Sequence, residues 1–219
     1  MKKTYVLIAI ILLLTTASNV LSGTRPRYGI KAGISLADQT WEYRNLLGKV
    51  DRDQRKGLAC GVFADLSFTP LVQFRPEVLY VQKGSQIKVL RTSYTGIPTG
   101  ASTFKDRIDY LSLVAAFKLQ LSHGPLGFYL LGGPRLDVKL SATSDFPDPT
   151  MQLILDAYKL TVPGLTLGIG FQGATGLFGP MMLEARYDYN PGEAARFVST
   201  ENVLEINNKS FSILVGLLF

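Results

Sequence analysis

The chain has 219 residues, a formal net charge of +6, one cysteine and one histidine. A single cysteine, Cys60, excludes an intramolecular disulfide as the staple of the fold. The cationic excess is scattered, Lys2 and Lys3 included, and no basic cluster is interleaved with stacking aromatics, so no nucleic-acid partner is expected.

The N-terminus reads Met-Lys-Lys, then an apolar run from Tyr5 to Leu14, then small and polar residues to Gly23. A charged start, a short apolar stretch and a small-residue zone make a signal peptide, expected over 1–22 with cleavage after Ser22 or Ser18. The apolar run is about ten residues, against the roughly 20 of a spanning helix. No cysteine sits at the cleavage zone, so a lipoprotein is not expected. The remainder, 23–219, is one domain by length. No later stretch has the ~18 consecutive apolar residues of a membrane helix.

Eight segments alternate with period two, the signature of strands. The first, Arg27–Ala37, sets Tyr28, Ile30 and Ile34 against Lys31 and Ser35. The second, Gly57–Phe68, sets Leu58, Val62 and Leu66 against Phe63 and Asp65. The third, Leu71–Lys83, sets Phe74, Pro76 and Val78 against Arg75, Glu77 and Lys83. The fourth, Ile108–Leu121, sets Leu111, Leu113 and Phe117 against Ser112 and Lys118. The fifth, Leu126–Ser141, sets Leu130, Pro134 and Leu136 against Arg135, Asp137 and Lys139. The sixth, Leu160–Ala174, alternates Leu165, Leu167 and Ile169 with Thr166, Gly168 and Gly170. The seventh, Phe178–Tyr189, sets Leu183, Ala185 and Tyr187 against Glu184, Arg186 and Asp188. The eighth, Asn208–Phe219, puts Phe211, Ile213, Val215, Leu217 and Phe219 on one face. Pro76 and Pro134 each remove a ladder donor, so a bulge or local break is expected there.

Alternation alone also fits a soluble sandwich. The connections decide between them. Asp38–Lys56, Gly84–Arg107, Ala142–Lys159 and Asn190–Asn207 are long, and those between are short. Long external loops, short periplasmic turns and an even strand count describe an outer-membrane barrel. The expected fold is all-β: an eight-stranded antiparallel up-and-down transmembrane barrel. Its terminal Phe219 is expected to act as the assembly signal, on a strand that closes against the first.

The stretches YGIKAGISLAD, FRPEVLYVQKG, DYLSLVAAFKLQL and FYLLGGPRLDVKLS, with the terminal aromatic, resemble the PorT-type outer-membrane β-barrel family over nearly all of 23–219. The resemblance implies a bacterial outer-membrane location. Some members of that family serve type IX secretion and gliding. It transfers no catalytic motif.

The inward face is expected to carry Lys31, Asp65, Arg75, Glu77, Lys118, Arg135, Asp137, Lys139, Glu184 and Arg186. In so narrow a barrel these charges must pair. An interlocked salt-bridge core is the expected result, and a narrow conduction path or ligand pocket the alternative. The only histidine, His123, lies in the turn Ser122–Pro125, where adjacent Ser122 points away from it. No hydrolase elbow, metal cluster or phosphate loop is present in the sequence. Neither enzymatic activity nor a cofactor is expected. The role read from the sequence is structural or interactive, through external loops or the periplasmic rim. The partners expected are outer-membrane lipids, the barrel-assembly machinery and an envelope or secretion-system protein. A passive channel or lipid transporter, and a lipid-modifying enzyme, are the alternatives.

Overall fold

The computed structural model describes residues 26–43, 48–51, 53–92, 98–121, 126–147, 149–175, 179–198 and 203–219. The expected signal peptide, the turn bearing His123, and Phe178 lie outside the described residues.

Ten strands and one helix are described: β1 (Arg27–Tyr43), β2 (Gly48–Asp51), β3 (Asp53–Ser67), β4 (Val72–Thr92), β5 (Pro98–Gln120), β6 (Leu126–Ser144), α1 (Pro149–Asp156), β7 (Thr161–Thr175), β8 (Gly179–Tyr189), β9 (Ala195–Val198) and β10 (Val203–Leu218). They form one antiparallel sheet in the order β2-β1-β3-β4-β5-β6-β7-β8-β10-β9. β1 also pairs with β10, from Gly29↔Leu218 to Tyr43↔Leu204, and the sheet becomes a ring. β2 pairs with the top of β1 above the stretch paired with β3, and β9 pairs with β10 above the stretch paired with β8. The described strands therefore occupy eight positions around the ring. Closure satisfies both edges, which an open sheet in lipid cannot do.

The alternation places side chains as the sequence predicts. Ile30, Ile34, Val62, Leu167, Ile169, Leu183 and Val215 are exposed on the outside, while Lys31, Arg75, Glu77, Lys118, Glu184 and Arg186 are buried inside. This is an inside-out protein: the apolar belt faces outward and the ions face the axis. Paired Phe74 and Phe117, and Phe128 and Phe171, with centroids 5.6 and 5.2 Å apart, thicken the belt toward the end of the ring that bears Arg27 and Phe219.

The long connections differ from expectation. Much of what reads as loop is strand. The β4–β5 ladder runs unbroken from Val72↔Leu119 to Arg91↔Gly100 and ends at Thr92↔Pro98. Pairing of β4 with β3 stops at Gln86, and pairing of β5 with β6 begins at Asp106. A two-stranded arm therefore rises beyond its neighbours by about 20 Å, at ~3.4 Å per residue. The backbone ladder thus continues after the apolar belt has ended.

The prolines give local breaks rather than bulges. Pairing of β3 with β4 skips Ala64 and Asp65 opposite Pro76 and Arg75, and pairing of β5 with β6 skips Ala115 and Ala116 opposite Pro134 and Gly133. The register is unchanged across both gaps. The small side chains Ala64, Pro76, Ala115 and Pro134 leave a shallow apolar groove of about 730 Å³ on the lipid face. The bulges lie higher, at Gln54–Ala59 of β3 and beside Asp109–Tyr110 of β5.

The last residue completes the seam. The Phe219 amide donates to the Tyr28 carbonyl at 2.8 Å, and its ring is exposed at the rim. Phe219→Asp keeps that amide but puts a charge at the edge of the apolar belt. We expect the folded, heat-modifiable fraction in cells to fall severalfold, and more than for any single crown substitution. Folded protein at wild-type levels on unheated gels would remove the assembly role from Phe219.

Candidate functional site

The strand period fixes which side chains can meet inside. Residues two apart share a face, so Arg75 and Glu77 of β4, and Glu184 and Arg186 of β8, point to the axis together. Lys31 of β1, Asp65 of β3 and Lys118 of β5 join them.

These seven make the lower layer. Lys31 Nζ donates to Glu77 Oε1 at 2.7 Å and to Glu184 Oε1 at 3.1 Å. Arg75 grips Asp65 through two nitrogens, with Nη2 to Oδ2 at 2.8 Å, and reaches Glu184 Oε2 at 3.1 Å. Arg186 bridges Glu184 at 2.6 Å and Glu77 at 2.7 Å. Lys118 donates to Asp65 at 3.0 Å and to Gln172 at 2.6 Å. Tyr129 of β6 donates its hydroxyl to Glu184 Oε2 at 2.9 Å. Its ring lies under the Lys118 ammonium at 4.6 Å, and the Phe63 ring lies under the Arg75 guanidinium at 4.5 Å. Desolvated ions this close are worth their burial only as a complete set.

An apolar layer comes next. Ala59, Leu79, Val81, Val114, Ala116, Leu131 and Leu214 are buried against one another there. Above it lies a second ionic group. Asp137 accepts from Lys83 at 2.7 Å and from Ser112 at 2.6 Å, and pairs with Arg135 at 3.2 Å. Arg135 also pairs with Asp188, which Thr166 holds from the other side, and donates to Asn190 at 2.9 Å.

A cap closes the outer end. α1 begins at Pro149, a residue suited to the first helical turn. Leu155 and, just beyond the helix, Tyr158 bury against Trp41, Ile108, Tyr110, Val162, Ala194, Ala195, Leu204 and Ile206. The Lys159 amide donates to the Ala194 carbonyl at 2.9 Å, and the Ala194 amide to the Ile206 carbonyl at 2.7 Å. The cap is thereby stitched to β10.

Nine of the ten charges predicted for the interior are in the two ionic groups. Lys31, Asp65, Arg75, Glu77, Lys118, Glu184 and Arg186 form the lower one, and Arg135 and Asp137 belong to the upper. Lys139 departs. It keeps its register opposite Tyr110, just below the bulge at Leu140, and its ammonium binds the carbonyls of Tyr158 at 2.6 Å and Leu155 at 3.5 Å. It fastens the cap rather than pairing with a lumen carboxylate. Lys139→Met should loosen 149–160: limited proteolysis should cut there faster, while the heat resistance of the barrel stays within a few degrees of wild type. Unchanged cleavage would mean that the apolar contacts alone hold the cap.

The predicted set lacks Lys83 and Asp188, although both lie on the polar faces of their strands. It also lacks Tyr129, which looks like any aromatic until the ring brings it to Glu184. Among the described residues, no group of three or more His, Cys, Asp or Glu side chains is placed to hold a metal.

Residues 18–190 match the family model of the outer membrane protein beta-barrel domain. The chain belongs to that family. Its location is accordingly the bacterial outer membrane. Among solved structures, the fold is similar to that of the outer membrane protein OprG from Pseudomonas aeruginosa, at 10% identity and a TM-score of 0.50, over 92% of this chain and 99% of that one. Neisserial surface protein A is 17% identical, over 88% of this chain and 97% of that one, with a TM-score of 0.46. The outer membrane protease OmpT from Escherichia coli is 8% identical, over 90% and 98%, with a TM-score of 0.39. No curated protein matches the chain.

Proposed function

We propose that this family member is a closed, non-enzymatic barrel of the PorT type, exported by its N-terminal signal and acting through its extracellular crown or its periplasmic rim. The observation that carries the reading is the stacking of buried side chains inside the ring among the described residues. Two ionic groups, an apolar layer and a cap lie one above another along the axis. Each carboxylate of the two groups is hydrogen-bonded or ion-paired to at least two cations or hydroxyls, so none stands clear of a counter-charge as a general base would. A wall this rigid suits a scaffold that presents the β4–β5 arm and α1 outside the membrane. Outer-membrane lipids surround the belt, the assembly machinery acts on the closing strand, and an envelope or secretion-system protein meets the crown or rim. No cofactor and no nucleic acid enter this reading.

Planar-bilayer recording of the refolded protein tests it. We expect no unitary conductance steps above the bare-membrane background in molar salt. A stable open level in most insertions, abolished by a bulky substitution on the inward face, would replace the scaffold with a channel.

A further inference from the structure

The outward face just above the belt carries a built polar border on β3, β4 and β5. Arg107 donates to Asp109 at 2.9 Å and to the Tyr80 hydroxyl at 3.2 Å, and Gln82 donates to the same hydroxyl at 3.0 Å. Ser141 donates to Asp109 at 2.9 Å. Burial disfavours the charged Asp109, but the bonds from Arg107 and Ser141 outweigh it and hold this carboxyl below its ordinary value. The Arg107 side chain nevertheless stays 45% exposed.

The cations around this border outnumber the two carboxylates that act on Arg55, Asp109 and Asp145, and the Asp145 amide donates to the Lys105 carbonyl at 3.1 Å. Lys105 stands above Arg107 on the same face of β5, and Lys88 stands opposite Thr103 on β4. Lys56, opposite Leu36, stands above Leu58 on the outside of β3. Lys56, Lys88 and Lys105 are exposed, and no described carboxylate is within ion-pair distance of them. Arg55 donates Nη1 to the Lys83 carbonyl at 3.1 Å, while its buried Nε has no hydrogen-bond partner among the described residues. Burial, and then the like charge of Arg107, lower the Arg55 pKa.

Gly84 separates the two sides. It faces Arg107 in the ladder, beside the β3 bulge. Its φ of +134° admits no other residue without strain, and a Cβ there would strike the Asp106 carbonyl. Gly84 is itself buried, and Arg55 reaches the Lys83 carbonyl beside it, so the notch on this face is bounded by the Arg55 and Arg107 guanidinium groups rather than by a β4 side chain. Strands two apart lie about 10 Å from one another, a gap that one tetrahedral oxyanion can bridge between long cationic side chains.

We propose that this notch, walled by Arg55 and Lys56 on one side and Arg107 and Lys105 on the other, receives the phosphate of an outer-leaflet lipid headgroup. The inference rests on the membrane-spanning reading of the belt, which sets the notch at headgroup height. The lipid acyl chains then lie on the apolar face below it, beside Leu58.

The test uses the folded full chain in detergent, titrated with bisphosphorylated lipid A, with the same lipid stripped of its phosphates, and with inorganic phosphate. Bound lipid is counted by native mass spectrometry. Wild type should favour the phosphorylated lipid by about tenfold or more. R55Q/K56Q/K105Q should lose that preference and still show the gel shift of a folded barrel, and K105Q alone should weaken it if the triple variant folds poorly. Equal binding of the two lipids, or a preference that survives the triple variant, overturns the assignment. Displacement of the lipid by inorganic phosphate at equal concentration also overturns it, in favour of a soluble anion. Loss of the gel shift in wild type would instead strike the barrel reading beneath it.

Discussion

Replacing Glu184 by alanine should lower the stability of the folded barrel by about 3–5 kcal/mol, the cost of removing one partner from a buried ion set. Glu184 accepts from Lys31, Arg75, Arg186 and Tyr129, and its side chain is wholly buried. Without it, four buried cations, Lys31, Arg75, Lys118 and Arg186, share the carboxylates of Asp65 and Glu77. Heat modifiability on gels should show the loss as a drop in the melting midpoint. Glu184→Gln keeps the volume and two hydrogen-bonding groups, and should fall between alanine and wild type. A Glu184→Ala protein with wild-type heat resistance would mean that the lower ionic group does not hold the wall together. The stability of a buried pair is not itself evidence for its worth, since a well-packed apolar set can do as well. The prediction concerns breaking the set, not its existence.

The second large effect is at Gly33, where the ring closes. Gly33 faces Leu214 across the seam, and a Cβ built on it would overlap the Ile213 carbonyl and approach the Leu214 Cα. Both are backbone atoms of β10, so no rotamer change relieves the contact. Gly33→Val should force β1 away from β10 at the centre of the wall, at a cost of about 1–3 kcal/mol or more. It should also leave ladder groups unpaired in lipid, where each is expensive. The expected result is little folded protein after refolding into detergent, with the remainder in aggregates. Gly192, whose Cβ would meet nothing, is the control: Gly192→Ala should fold as wild type does. Efficient refolding of Gly33→Val would show that the seam is looser than its register implies.

The belt was legible because lipid imposes a strict period on the chain. Every second residue of β1, β5, β7 and β10 must be apolar, and the sequence says so residue by residue. The partition of Arg75, Glu77, Glu184 and Arg186 to the interior follows from the same parity. What could not be read was which ions meet. Lys31 on the first strand touches Glu184 on β8, a contact made by ring closure alone. Lys139 keeps its parity but lies beneath the cap, and the Leu155 and Tyr158 carbonyls that bind it come from a segment whose position no local pattern marks. The extended arm of β4 and β5 was hidden for a different reason. Above the belt no outward row of large apolar residues marks the strands, so Ile87–Thr92 and Pro98–Lys105 look like loop although they pair with each other. Leu155 and Tyr158 belong to the cap through contacts distant in sequence, with Trp41 and Ile206, which no local pattern announces.

The inside-out arrangement of the wall is open to one direct measurement. With Cys60 replaced by serine, a cysteine at Val62, in the exposed apolar row of β3, can carry a single environment-sensitive fluorophore in proteoliposomes. Spin labels on the lipid acyl chains should quench it strongly, and an aqueous quencher should leave it nearly unchanged. Strong quenching from water with none from the lipid chains would place this face of β3 in solvent and contradict the barrel described above.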